Sequence, residues 1–174
     1  MNDPSGTLET ARLGLRPMGA GDFHALLQGL QDPDRPWTAG YPMDESLVSA
    51  AMVQGRGGPW TQYQVLLSDE GVVIGDLTFL EPPGTDRIAL ITFAIAPERR
   101  GNGYATEALR AVVEWARGRS DIRGLRADTD LVNPSSHHVL RAAGLDVVQD
   151  DGDRQLYELR WERRERIVRA SLVR

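Results

Sequence analysis

The residues of this chain best suited to chemistry lie in one stretch, Ile95-Ala96-Pro97-Glu98-Arg99-Arg100-Gly101-Asn102-Gly103-Tyr104-Ala105. Gly101, Asn102 and Gly103 permit positive φ and let a ligand come close to the backbone. The apolar run before the loop predicts a strand, and the 3.6-residue period after Gly103 predicts a helix whose free N–H groups and positive dipole end point into the loop. An anion, above all a phosphate, suits such a place. Arg99 and Arg100 add guanidinium forks that match phosphate oxygens. A dinucleotide-binding loop would want a small residue where Thr106 stands, and a Walker loop would want Gly-Lys-Ser/Thr, so neither pattern is met. A glycine-rich turn without a ligand would show the same spacing.

Composition narrows the chemistry further. All 20 basic residues are arginine, which excludes a Schiff-base lysine and a P-loop lysine. There is no cysteine, hence no disulfide, thiolate ligand or cysteine nucleophile, and His24, His137 and His138 leave little for a zinc site, so no metal is expected. A net charge of -5 argues against nucleic acid as a partner. No apolar run approaches the roughly 18 residues of a membrane span, and a cytoplasmic location with no membrane partner is expected.

To position that loop the chain needs a sheet and flanking helices. A first strand is read over residues 8–18, a helix from Gly21 to the Asp32-Pro33 stop, and a second helix over 44–54. Strands follow at 62–67, 72–80 and 88–95, separated by Asp69-Glu70-Gly71 and Pro82-Pro83-Gly84. The last of these is almost continuously apolar and should be central and covered on both faces. Ala105, Ala108, Leu109, Val112 and Ala116 form one helical stripe ending near Gly118. A strand at 125–129, a short helix opened by Asn133-Pro134 and closed by Gly144, and a strand at 157–161 complete the order. The fold class is α/β, a single domain over residues 8–161. Residues 162–174 form a charged extension; residues 160–174 hold six arginines and two glutamates.

Arg100-Gly101-Asn102-Gly103-Tyr104-Ala105, followed by Thr106-Glu107-Ala108-Leu109, resembles the cofactor motif Gln/Arg-x-x-Gly-x-Gly/Ala of the GCN5-related N-acetyltransferase superfamily. Asn133-Pro134-Ser135-Ser136-His137-His138-Val139-Leu140 through Gly144-Leu145 is similar to the Asn-x-x-Ser-x-x-Val-Leu-x-x-x-Gly-Phe signature of its ribosomal-protein alanine acetyltransferase branch, with Leu145 in place of Phe. The resemblance covers about residues 8–161. It implies a mixed, mainly antiparallel sheet flanked by helices, and acetyl-CoA as cosubstrate. By the same resemblance the amides of residues 100–105 hold the pyrophosphate, the main chain of Phe93 and Ile95 pairs with pantetheine like another strand, and Asn133 and Ser136 contact pantetheine and the region of the thioester sulfur. Asn133 before a proline is equally an ordinary helix N-cap.

Acetyl transfer to an amine needs a neutral nucleophile, donors for the oxyanion and a proton for the thiolate. By the resemblance a backbone N–H near Ile95 is the oxyanion candidate, and Ser136, directly or through water, is the candidate proton donor. Relatives often carry a glutamate early on the strand before the loop, but here that strand is Ile88-Ala89-Leu90-Ile91-Thr92-Phe93. Asp128 and Asp130, on one face of their strand, are the base candidates, with Asp76, Glu81, His137 and His138 behind them. Residues 20–60 carry Asp22, Asp32, Asp34, Asp44 and Glu45 against Arg35 and Arg56, which suits an amine-bearing, cationic acceptor. The resemblance leaves room for a homodimer. A non-catalytic acyl-CoA sensor or interaction module is the rival reading.

Overall fold

The computed structural model describes residues 6–162; most of the charged extension expected at 162–174 lies outside the described residues. The chain runs β1 (Leu8–Glu9), β2 (Leu13–Pro17), α1 (Ala20–Gln28), α2 (Asp44–Val53), β3 (Gln62–Leu67), β4 (Val72–Glu81), β5 (Ile88–Ile95), a 3-10 turn at Pro97–Arg99, α3 (Tyr104–Arg117), β6 (Gly124–Asp130), α4 (Pro134–Ala142), β7 (Asp146–Asp150) and β8 (Arg154–Arg160). The eight strands form one sheet in the order β1-β2-β3-β4-β5-β6-β8-β7. Every neighbouring pair is antiparallel except β5 and β6, which are parallel.

Alternation along the strands gives the sheet two apolar faces. On one, Leu77, Phe79, Ile91 and Ile95 pack against Ala108, Leu109, Val112 and Ala116 of α3 and Leu140 of α4. On the other, Val73, Ala94 and Ala96 pack beneath Phe23 and Leu26 of α1 and Ala50 and Val53 of α2. β5 is therefore covered on both sides, as its apolar run requires. No helix among the described residues is long and apolar enough to cross a membrane.

Three local readings are corrected. Residues 8–18 are not one strand but a hairpin, β1 against β2, because the Thr10 hydroxyl accepts from Leu13 N–H at 2.9 Å and turns the chain without glycine or proline. The first helix stops at Gln28 rather than at Asp32-Pro33, since Gly29 takes the left-handed conformation (φ 68°) and Leu30 N–H bonds back to Ala25 C=O. Finally, β7 precedes the closing strand; all five of its residues are exposed, so it shows no burial alternation.

Candidate active site

The parallel ladder between β5 and β6 is short. It runs through Ile88↔Gly124, Ala89↔Leu125 and Leu90↔Arg126 and goes no further. Beyond Leu90, β5 continues to pair with β4 up to Gly75↔Ile95, and the Ala96 N–H donates to the Ile74 carbonyl of β4 at 2.8 Å. Strand alternation then turns the N–H and C=O of Phe93 and Ile95 away from β4, toward the side where β6 has left the ladder. The Ile95 carbonyl accepts from Arg100 Nε at 2.8 Å. The Ile95 N–H and both backbone groups of Phe93 thus face the gap.

The gap ends at the loop before α3. Gly101 and Gly103 both have φ of 79°, conformations that favour glycine, and Gly103 is the N-cap of α3. The loop is folded on itself by Asn102 Nδ2, which donates to the carbonyls of Arg99 and Arg100, each at 3.1 Å. It is also tied to the first hairpin. Arg12 donates from one terminal nitrogen to the Asn102 carbonyl at 3.0 Å and from Nε to Glu107 at 2.6 Å, and its guanidinium lies 4.6 Å above the Tyr104 ring. Thr10 donates to the same Glu107 carboxylate at 2.6 Å. Burial works against the Glu107 charge, but the Thr10 and Arg12 hydrogen bonds outweigh it and hold the carboxyl below its ordinary range.

A cleft of about 510 Å³ lies between this loop and α4, lined among others by Ile95, Gly101, Gly103, Tyr104, Ser135 and His138. Ala105 and Arg100 also line it. Asn133 caps α4, accepting from Ser136 N–H at 3.2 Å, so its side-chain oxygen serves the helix; Ser136 itself is half-buried in the first turn. His137 bonds Tyr157 Oη at 2.8 Å and the Asp130 carbonyl at 3.1 Å, fastening that first turn to β6 and β8.

Both arginines of the loop are held by the protein, with different partners. Arg99 forms a fork with Glu70, 3.0 and 2.8 Å, and donates from Nε to Thr38 at 3.1 Å, which commits it to the protein. Arg100 is tied through Nε to the Ile95 carbonyl, and both arginines line the cleft. Asp128 and Asp130 do lie on one face of β6, but Arg154 of β8 pairs with both, at 2.7 and 2.8 Å, and occupies oxygens that a base would need. In the acidic N-terminal region, Asp22 pairs with Arg16 and Arg35 and Asp32 with Arg35, while Asp44 and Glu45 occupy the first turn of α2. Trp37 and Tyr41 meet edge to face at 5.7 Å. Among the described residues no three His, Cys, Asp or Glu side chains group as metal ligands.

Residues 12–146 match the family described as Acetyltransferase (GNAT) domain. The chain belongs to this GNAT acetyltransferase family. Solved structures share the fold at low identity. An acetyltransferase of the GNAT family from Bacillus anthracis is 18% identical with a TM-score of 0.64, covering 88% of this chain and 98% of its own. The ribosomal-protein-S5-alanine acetyltransferase from Vibrio fischeri is 14% identical, TM-score 0.60, covering 88% and 96%. RimL, a ribosomal L7/L12 alpha-N-protein acetyltransferase solved with coenzyme A, is 15% identical, TM-score 0.61, covering 88% and 97%. No curated protein sequence matches. The Arg12–Glu107 tie had no sequence signal pointing to a role, and Asp76 is legible in the sequence only as one base candidate among several. Arg12 and Glu107 are 95 positions apart, and Arg12 reads only as an outward strand residue. Asp76 sits inside a strand read from its apolar neighbours.

Proposed function

We propose that this chain is an acetyl-CoA-dependent N-acetyltransferase that moves an acetyl group to a primary amine, of a small molecule or a protein N-terminus, by direct attack on the thioester. The observation that carries the reading is the break in the sheet. Free backbone groups of Phe93 and Ile95 line a gap that ends at a positive-φ glycine loop and the N-terminus of a 14-residue helix, so an extended pantetheine arm and a pyrophosphate are met by one continuous surface. The amides of residues 100–105 take the pyrophosphate, with Arg100 beside them.

In the reaction the amine nitrogen attacks the thioester carbon. The Ile95 N–H, which faces the gap, donates to the developing oxyanion. As the C–S bond breaks, the Ser136 hydroxyl supplies a proton to the sulfur. Family membership and the CoA carried by RimL support the cosubstrate. One observation favours the rival, a non-catalytic acyl-CoA-binding module: β5 carries no acidic side chain, and Asp128 and Asp130 are occupied by Arg154.

Turnover decides between them. The chain has no cysteine, so a thiol reagent reports only released CoA. With acetyl-CoA and a panel comprising a polyamine, an aminoglycoside and peptides with N-terminal alanine or serine, amine-dependent thiol release is expected. Tight acetyl-CoA binding with no thiol release from any amine favours the module.

A further inference from the structure

Beneath α2 the sheet face is not uniformly apolar. Two cross-strand rows carry polar side chains where the neighbouring positions are apolar. One row is Arg16 of β2, Gln64 of β3, Asp76 of β4 and Ala94 of β5; the next is Gln62, Thr78 and Thr92. Gln62 and Thr78 have no exposed surface, Asp76 has 2%, and Ser46 of α2, which packs over them, has none. The Gln62 amide donates to the Ser46 carbonyl at 3.3 Å, leaving its oxygen free. Among the described residues that oxygen, Asp76 Oδ2 and the hydroxyls of Tyr41, Ser46 and Thr78 have no partner in good hydrogen-bond geometry, although Ser46, Gln62 and Tyr41 lie near enough to Asp76 to favour its charged form.

A buried carboxyl among free hydroxyls is costly to maintain. Groups of this kind in protein interiors are commonly met by water, which makes about three hydrogen bonds to them. The second row leads outward: Thr92 is half-buried, one residue from Phe93, whose backbone faces the gap. Cross-strand register thus sets Thr92 of β5 beside Thr78 of β4, which stands two residues along its strand from Asp76, so that two hydroxyl-bearing residues lie between the cosubstrate gap and the buried carboxyl.

We propose that Asp76 accepts the proton given up by the acceptor amine, passed through the Thr92 and Thr78 hydroxyls and intervening water. The proposal rests on the N-acetyltransferase reading above and names the proton acceptor that β5 lacks. The amine arrives as R–NH3+ and loses one proton along the row to the Asp76 carboxylate, becoming R–NH2. Its nitrogen then forms the N–C bond, the C–S bond breaks, and the second N–H proton ends on the sulfur by way of Ser136. Asp76 returns its proton to solvent before the next turnover.

The surroundings suit a group that must both take and release a proton near neutrality. Burial raises the Asp76 pKa from 3.8 to about 7, with Ser46, Gln62 and Tyr41 pulling it back and the charge of Glu45 on α2 adding to the rise. Burial, then the Asp76 charge, push the Tyr41 phenol well above its ordinary value, so it stays a donor. From β2 the nearest charge is Arg16, which with Arg35 is held by Asp22 of α1 and the Gln64 oxygen. β5 contributes only Thr92 and Ala94.

The test uses the full chain with acetyl-CoA and whichever amine of the panel it acetylates. Wild-type kcat/KM is expected to rise through a limb near pH 7. Asp76→Asn should lower kcat/KM at pH 7.5 by tenfold or more and abolish that limb, with acetyl-CoA affinity by calorimetry unchanged. Thr78→Val should reproduce much of the loss and Thr78→Ser should restore it. Wild-type rate and an unchanged limb in Asp76→Asn overturn the proposal while leaving the transferase reading intact. If Asp76→Asn does not fold, equal rates for Thr78→Val and Thr78→Ser overturn it. A wild-type protein that binds acetyl-CoA and acetylates nothing removes the reading itself, and the proposal with it.

Discussion

Replacing Asp76 by asparagine should change the pH dependence of folding stability in a calculable direction, independent of any activity. The folded-state pKa of about 7 against an ordinary 3.8 means that between these values the native state holds a proton the unfolded chain has released. Stability therefore falls as pH rises through that window, and the loss is complete above pH 7. Three pH units correspond to roughly 4 kcal/mol, at about 1.4 kcal/mol each. Asparagine has no such linkage. The stability of the variant minus that of the wild type should accordingly be small near pH 4.5 and grow to roughly 4 kcal/mol by pH 8. Glu107, whose carboxyl lies below its ordinary range, contributes in the opposite sense: its stabilisation is present above the unfolded pKa and is lost as pH falls through the folded one. It is common to both proteins and cancels in the difference. With a urea m-value of about 2 kcal/mol/M, the variant's midpoint should move up relative to wild type by roughly 2 M between pH 4.5 and 8. A midpoint difference that stays constant across this range would refute the reasoning, because Asp76 would then titrate alike in both states.

Arg12→Met keeps the aliphatic stem but removes the tie between the first hairpin and the loop at Asn102. An exposed cation–π contact and ion pair together contribute about 1–1.5 kcal/mol, so the melting temperature should fall by roughly 2–6 °C, and acetyl-CoA affinity by calorimetry should weaken by at most about tenfold, to the extent that the untied loop must be ordered again on binding. Ser136→Ala should lower kcat by about tenfold or more and leave the KM for acetyl-CoA nearly unchanged, read by thiol release; an unaltered kcat would reduce Ser136 to a helix first-turn residue. At Gly75 an added Cβ would overlap the Ala94 carbonyl oxygen, so Gly75→Ala should destabilise by about 3 kcal/mol, a drop of roughly 6–12 °C in melting temperature.

Where the chain advertises its structure, it does so through long regular patterns. The stripe from Ala105 to Ala116 and the apolar run of β5 are legible because each repeats one period over enough residues to exclude the other. The glycine loop between them is legible because only glycine takes its backbone comfortably. The hairpin at Leu8–Pro17 escapes this reading, since Leu8, Leu13 and Leu15 alternate well enough for one strand and the turn is made by a threonine side chain. β7 escapes it for the opposite reason: Asp146–Asp150 is exposed throughout and gains its place only by pairing with β8. The site divides in the same way. The loop residues could be named from their spacing and the signature residues from the family resemblance, whereas the Arg12–Glu107 tie and the setting of Asp76 depend on contacts between strands and helices far apart in sequence. The pairing of Asp128 and Asp130 with Arg154 likewise arises only when β6 meets β8.

The short ladder between β5 and β6 makes the sheet two plates, one of five strands and one of three, joined edge to edge by only three residue pairs. The core beneath α3 and α4 spans both plates, and on the proposed reading a ligand laid along the seam adds contacts to each. Any ligand that binds only the folded form adds stability as RT ln(1 + [L]/Kd), about 2.7 kcal/mol at a hundredfold excess over Kd. On the proposed reading that ligand is acetyl-CoA. Resistance to limited proteolysis should then rise with acetyl-CoA concentration, because the ligand depletes the open forms that a protease cuts.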